Sequence, residues 1–143
     1  MATAYYFDSG VFVTPIIKNR DPKVIGDCLS WQQRLQRAEI VGYTSYLTWD
    51  EVVYIAARAS GAYDRTIATK AGDLFLSLPN LTFVPIDNHT VRGAQALLPH
   101  GLRPRDSIHA SSSLIHAGGN FVSLDIDFRS KAPDLGLTLH EIR

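Results

Sequence analysis

Residues 102–112 read LRPRDSIHASS and place an aspartate, Asp106, two residues after a proline at the start of an apolar segment. A helix is predicted from Pro104 to His116. The proline fits its first position, apolar residues follow, and the pair Gly118-Gly119 ends it. A carboxylate in the first helical turn complements the helix dipole and can accept hydrogen bonds from free backbone N–H groups. Alternatively, Asp106 forms one corner of an acidic cluster, and the rest of the sequence bears on that choice.

The size and composition of the chain favour a single globular domain spanning residues 1–143. With 45% hydrophobic residues, the chain can bury a core. Its apolar runs are shorter than the roughly 18 residues of a membrane-spanning helix, so we expect no membrane partner. The single cysteine, Cys28, excludes an internal disulfide and is typical of a cytoplasmic protein. Lys+Arg and Asp+Glu balance at 14 each, which neither indicates nor excludes a nucleic-acid partner.

Short apolar strands alternate along the chain with amphipathic helices. Strands are predicted over residues 5–7, 40–45, 81–84, 121–124 and 137–139. Helices are predicted over about 22–39, 52–59, 67–78, 87–98 and 104–116. This alternation predicts an α/β fold, a three-layer α/β/α sandwich around a mostly parallel central sheet.

Four acidic residues fall where such a sheet would bring them together. Asp8 and Asp125 end the first and fourth strands, and Glu51 and Asp106 occupy the first turns of predicted helices. Ligands of open α/β sheets bind outside the carboxyl ends of the strands. Four carboxylates gathered there would repel one another unless a counter-charge were present. Mg²⁺ or Mn²⁺ would supply it, and could activate water for phosphodiester hydrolysis.

Each acidic residue also has a purely structural interpretation. Thr48-x-x-Glu51 fits a capping box, in which Glu51 returns a hydrogen bond to the helix start. Asp125 and Asp127, in LDIDF, fit a turn stabilised by side-chain bonds to the backbone. Asp8 is harder to explain this way, because a carboxylate directly after an aromatic strand is costly to bury without a partner.

Taken in order, four segments resemble the PIN-domain ribonucleases, and among them most closely the VapC toxins of prokaryotic toxin–antitoxin pairs. The segments are Asp8-Ser9, Thr44-Ser45 through Glu51, LRPRDSIHA and VSLDIDF, which together span nearly the whole chain. The resemblance implies an Mg²⁺- or Mn²⁺-dependent endoribonuclease that hydrolyses RNA phosphodiester bonds. It also implies catalytic and metal-binding roles for Asp8, Glu51, Asp106 and Asp125, an extra metal-binding carboxylate at Asp127, and ligand-orienting hydroxyls at Ser9 and Ser123. Gly10 departs from the pattern, since many relatives carry a polar residue there.

The same resemblance, together with the distribution of charges and aromatics, suggests partners. Basic residues flank the acidic positions and are either candidates to hold single-stranded or looped RNA or solvated surface charges: Arg103, Arg105, Arg129 and Lys131. More large apolar side chains occur than two helix inner faces need, namely Trp31, Leu35, Trp49, Tyr54 and Tyr63. Core packing explains some of them, and Trp49 beside Asp50-Glu51 could instead shelter the helix start. The resemblance implies a homodimer, which we expect to use the early helices, and a small antitoxin protein with a basic tail that blocks the site.

Two other functions compete with this interpretation. A haloacid-dehalogenase-like phosphatase would need a second aspartate after Asp8-Ser9, where Gly10 stands instead. A catalytically inactive PIN-fold module that binds RNA or protein remains open, although the presence of all four acidic residues favours an enzyme. We expect His109, three residues after Asp106, to be a hydrogen-bonded helix histidine, with contact to phosphate or proton transfer as the alternative role.

Overall fold

A five-stranded sheet forms the centre of the computed structural model, which describes residues 2–17 and 20–143. Its strands are β1 (Ala4–Phe7), β2 (Val41–Ser45), β3 (Leu81–Val84), β4 (Asn120–Ser123) and β5 (Thr138–Glu141). The order across the sheet is β3-β2-β1-β4-β5, and every neighbouring pair is parallel. The carboxyl ends of all five strands therefore lie along one edge of the sheet.

Seven α-helices and one short 3₁₀ helix connect the strands. They are α1 (Gly10–Ile17), α2 (Pro22–Gln36), α3 (Tyr46–Arg58), α4 (Arg65–Leu76), α5 (Asn88–Leu97), the 3₁₀ helix Leu98–His100, α6 (Pro104–His116) and α7 (Asp127–Leu135). Among the residues that the structure describes, no helix is long and apolar enough to cross a membrane.

Adjacent residues of β1 bury their side chains on opposite faces of the sheet, as the alternation of a strand requires. Phe7 belongs to the core formed with α1 to α4, and this core also contains the buried thiol of Cys28. Tyr6 belongs to the core on the other face, with Phe121, Ala110 of α6 and Phe128 of α7. Helices thus cover both faces, which confirms the predicted three-layer α/β/α fold.

The predicted boundaries of α6 and β3 agree with the structure, whereas α1 and α7 are absent from the sequence prediction. Helix α1 has the sequence GVFVTPII, with four consecutive residues buried, 11–14, so it shows no polar face. It also contains Pro15, which argues against a helix interior when only the sequence is read. Helix α7 contains Pro133 as well. Tertiary packing therefore overrides local propensity in both segments.

The capping box at Thr48 and Glu51, the structural alternative for Glu51, does not form. Helix α3 begins at Tyr46, directly after β2, and its N-cap residue is Ser45, whose side chain makes no capping hydrogen bond. Glu51 consequently lies in the second turn of the helix, not in the first, and its carboxylate is not used at the helix start. This leaves the Glu51 side chain available to contact residues of other elements.

Candidate active site

A cleft of about 450 Å³ opens at the edge where β1 and β4 end. All four carboxylates singled out from the sequence line it, together with Ser9 and His109. The full lining is Asp8, Ser9, Gly10, Arg20, Glu51, Asp106, His109, Leu124, Asp125 and Ile126. The sheet edge supplies Asp8 and Asp125, while α3 and α6 supply Glu51 and Asp106.

Asp8 follows β1 directly and is held by donors on both carboxylate oxygens. Its Oδ1 accepts a hydrogen bond from the Gly10 backbone N–H at 3.2 Å, and its Oδ2 accepts one from the Ser123 hydroxyl. Burial raises the pKa of Asp8 to about 6, because these two bonds and the nearby His109 only partly offset the lost solvation. A Cβ at Gly10 would come within 3.2 Å of Leu124 Cδ1, so the glycine allows the chain to pass close to β4.

Ser123 links two of the acidic residues. Its hydroxyl donates to Asp8 and accepts the backbone N–H of Asp125 at 2.9 Å. The Asp125 carboxylate in turn accepts the backbone N–H of Asp127 at 2.9 Å, which is the turn geometry expected of an aspartate after a strand. Asp127 itself is exposed at the start of α7 and does not line the cleft, so the geometry gives no support to its predicted metal-binding role.

Glu51 is held from two sides. Its Oε2 accepts a hydrogen bond from the Ser9 hydroxyl at 3.2 Å, and its Oε1 lies 2.9 Å from His109 Nε2. Burial alone would raise the pKa of Glu51, but the hydrogen bond and charge of His109, with the bond from Ser9, hold it below its ordinary value. His109 is only 4% exposed, and its Nδ1 lies 2.7 Å from the Tyr6 hydroxyl. It is therefore the hydrogen-bonded helix histidine expected from the sequence, although nothing in the sequence indicated these two partners.

Asp106 is partly buried and lies near the negative charge of Asp125. Burial and then the negative charge of Asp125 raise the pKa of its carboxyl, while His109 and Arg103 lower it less. Two carboxyls of the cleft, Asp8 and Asp106, are thus harder to ionise than an exposed aspartate. A positive charge placed among them would relieve this penalty.

The carboxylates that line the cleft suit one class of metal cation better than others. Within residues 2–17 and 20–143, no three His, Cys, Asp or Glu side chains converge closely enough to form a ready-made metal site. Zinc needs such a closed set of protein ligands, whereas Mg²⁺ keeps several waters and is often held by one or two carboxylates with substrate phosphate. The carboxylates of this cleft therefore fit a hydrated, oxygen-seeking cation.

Of the basic residues predicted to surround the site, two are bonded to the protein itself. Arg129 makes a bidentate pair with Glu141, with N–O distances of 2.6–3.0 Å, and Lys131 Nζ donates to the carbonyl of Gly101. Arg105 makes an exposed 3.6 Å pair with Asp50, which is weak enough to be exchanged for a ligand. Arg20, which the sequence analysis overlooked, lines the cleft. Its only sequence signal is its position directly before the Asp21-Pro22 start of α2.

A second cleft, of about 360 Å³, lies between α1, α2, α3 and α4 and is almost wholly apolar. Phe12, Ile16, Val52 and Leu74 contribute to its walls. None of the described residues that line it carries a carboxylate, and it lies on the helical layer that covers the Phe7 face of the sheet.

The residues proposed as an interface divide into two groups. Leu35 is 2% exposed, and the half-buried Trp31 packs edge-on against Tyr5 and Phe7, so core packing, the alternative interpretation, accounts for these two. Exposed members are Trp49, Tyr54 and Tyr63, and the rings of the last two lie 6.2 Å apart.

Comparison with known proteins agrees with this architecture. The family model described as "PIN domain" matches residues 5–133. No curated protein sequence matches the chain.

Three crystal structures have a similar fold over essentially the whole chain. One is VapBC2 from Rickettsia felis bound to a DNA fragment from their promoter, with 18% identity, coverage of 99% of this chain and 100% of that chain, and a TM-score of 0.68. A second is DNA-bound VapBC from Salmonella typhimurium, with 18% identity, full coverage of both chains and a TM-score of 0.63. A third is VapBC-5 from Mycobacterium tuberculosis, a member of the VapBC family of toxin–antitoxin systems, with 16% identity, 98% and 99% coverage, and a TM-score of 0.58. At sequence identities of 16% and 18%, this similarity shows a shared fold and no more.

Proposed function

The chain belongs to the PIN-domain family, and we propose that it is a VapC-type toxin, an Mg²⁺- or Mn²⁺-dependent endoribonuclease that hydrolyses RNA phosphodiester bonds. The observation that carries this proposal is the cleft that Asp8, Glu51, Asp106 and Asp125 line together. A binding module without catalysis would have no need to gather four carboxylates at one sheet edge, because burial disfavours the ionised forms of Asp8 and Asp106 there.

The residues of the cleft would have different roles in metal binding and catalysis. Asp8, Asp106 and Asp125 would hold the hydrated cation, partly through its waters, and its charge would offset the burial that raises the pKa of Asp8 and of Asp106. When bound, Mg²⁺ or Mn²⁺ would supply Lewis acidity and a water of lowered pKa. Glu51, kept ionised by His109 and Ser9, would accept a hydrogen bond from the attacking water and orient it. The Ser123 hydroxyl, which is bonded to both, would hold the Asp8 carboxylate and the Asp125 backbone in fixed positions relative to each other.

Single-stranded or looped RNA would be the substrate. The chain has no net charge, so phosphate attraction has to come from residues near the cleft. Arg20 lines the cleft, and Arg105 follows Pro104 in the same helical turn as Asp106. Arg20, Arg105 and Arg103, whose charge acts on Asp106, are the candidate phosphate contacts, because Arg129 and Lys131 are bonded within the protein.

Two protein partners follow from the toxin proposal. A homodimer would bury the exposed side chains of Trp49, Tyr54 and Tyr63, which are costly to leave in water together. A small antitoxin would place an apolar helix in the cleft between α1 and α4 and direct a basic residue to the carboxylates. The solved VapBC structures of similar fold, one described as belonging to a toxin–antitoxin family, support this pairing. The cytoplasm, where RNA and an antitoxin would meet the protein, is the proposed location.

Cleavage of a fluorescent RNA with Mg²⁺, Mn²⁺ or EDTA tests the function. The wild-type protein should cleave with either metal and stop with EDTA, and Asp8→Asn should reduce the rate at least 100-fold. Asp134→Asn provides the matched control, because Asp134 is an exposed aspartate on α7 outside the cleft. RNA binding with equal, metal-independent background cleavage in wild type and Asp8→Asn would instead indicate the inactive binding module.

A further inference from the structure

A chain of buried hydrogen bonds runs from the core of the sheet to the cleft. The hydroxyls of Ser45 and Tyr6 are bonded at 3.0 Å, the Tyr6 hydroxyl lies 2.7 Å from His109 Nδ1, and His109 Nε2 lies 2.9 Å from Glu51 Oε1. Four different elements contribute: β2, β1, α6 and α3. Ser45 and Tyr6 are completely buried, and Glu51 at the other end lines the cleft.

Packing alone does not account for this chain. The Tyr6 ring stacks nearly parallel on Phe121, at a centroid distance of 5.8 Å and an interplanar angle of 9°. A phenylalanine would make the same stack, and it would spare the protein the cost of burying a hydroxyl. The hydroxyl therefore adds something other than core volume, and of its two side-chain hydrogen bonds within residues 2–17 and 20–143, the one with His109 leads to the cleft.

We infer that Tyr6 and His109 are positioning residues for Glu51, with the Tyr6 hydroxyl fixing the imidazole so that its Nε2–H donates to Glu51 Oε1. This inference rests on the proposed nuclease function and specifies how the site is held in working geometry. An ionised carboxylate has only acceptor atoms, so the bond at 2.9 Å requires a proton on Nε2. The contact at Nδ1 prevents the ring from rotating or flipping away from Glu51.

A single helix, α6, contributes two of the residues in this arrangement. Asp106 and His109 are three residues apart and lie on the same helix face. One helix thus places its own carboxylate in the cleft and, through His109, sets the orientation of a carboxylate on α3. Ser9 donates to the second oxygen of Glu51, so both oxygens are fixed by protein donors. Loss of a group that orients a catalytic ligand through a hydrogen bond commonly costs about 10- to 100-fold in activity or metal affinity.

The experiment compares Tyr6→Phe with Tyr5→Phe, the same change one residue earlier on the opposite sheet face. Histidine-selective ¹⁵N NMR of the metal-free protein reads the His109 Nε2–H, and RNA cleavage reads kcat and KM separately. We expect an exchange-protected Nε2–H signal in wild type and Tyr5→Phe that is lost in Tyr6→Phe. We also expect kcat of Tyr6→Phe to fall about tenfold with unchanged KM.

A second pair of variants tests His109 itself. The side-chain amide of His109→Gln can donate to Glu51 from near the position of Nε2, so it should retain several-fold more activity and a tighter Mn²⁺ affinity than His109→Ala. Equal loss in the two variants, full kcat in Tyr6→Phe, or an unchanged Nε2–H signal in that variant would each overturn the inference. A wild-type protein that cleaves no RNA would refute the proposed function alone, because the NMR comparison judges the positioning role without it.

Discussion

The stability of Asp8→Asn as a function of pH tests whether the cleft stores electrostatic strain in the metal-free protein. Asp8 has a pKa of about 6 in the folded protein, against an ordinary value of 3.8. The folded state therefore holds the proton more tightly than the unfolded chain, and stability falls as the pH rises from about 4 to 6. Above pH 6 the full penalty remains, and below about 4 it is absent because both states are protonated. About two pKa units correspond to about 3 kcal/mol.

The Asp8→Asn substitution removes the carboxylate charge but keeps nearly the same side-chain shape. Its Oδ1 can still accept the Gly10 N–H, whereas its amide would face a Ser123 hydroxyl that already accepts the Asp125 N–H. Weakening that one hydrogen bond costs about 1 kcal/mol. At pH 8 the variant should thus be about 2 kcal/mol more stable than wild type, which raises Tm by roughly 4–8 °C for a chain of this size. At pH 4 the wild type should be equal or slightly more stable.

Urea unfolding in EDTA, followed by the fluorescence of the two tryptophans, of which Trp31 packs against the core, measures both differences. Asp134→Asn serves as control and should show no change between pH 4 and pH 8 in its stability relative to wild type. A stability difference for Asp8→Asn that is the same at pH 4 and pH 8 would refute the reasoning, as would a variant less stable than wild type at pH 8.

Three further predictions address the metal, the RNA and the assembly. Asp106→Asn should raise the Tm of the metal-free protein and weaken Mg²⁺ binding in calorimetry, because it removes repulsion from Asp125; unchanged Mg²⁺ affinity would exclude Asp106 from the metal site. Arg20→Ala should reduce the salt dependence of RNA binding by about one unit of slope, whereas Arg129→Ala, whose guanidinium is bonded to Glu141, should leave it unchanged; equal slopes in both variants would argue against a phosphate contact at Arg20. Light scattering at micromolar concentration should give a dimer, and a mass of 15.8 kDa, that of one chain, would rule it out.

The sequence by itself determined the layer architecture and the edge at which the acidic residues lie. Strand and helix periodicity predicted β3 and α6 with the observed boundaries, and a parallel sheet necessarily brings the strand ends after Phe7 and Ser123 to one edge. Asp8 and Asp125 follow those strands in the chain, so their placement required no tertiary information. Their catalytic and metal-binding roles remain predictions.

Only the tertiary structure decided which side chains touch. Helix α1 forms around Pro15 because it is buried between the sheet and its neighbours, and no local pattern reveals that environment. The register of α3 against β2 moved Glu51 out of the helix start and toward His109, 58 residues further along the chain. Likewise, Tyr6 and His109 are 103 residues apart, and their bond arises only because α6 packs across β1. Local propensity encodes helices, strands and their ends, whereas contacts across such separations depend on packing that a single sequence does not display.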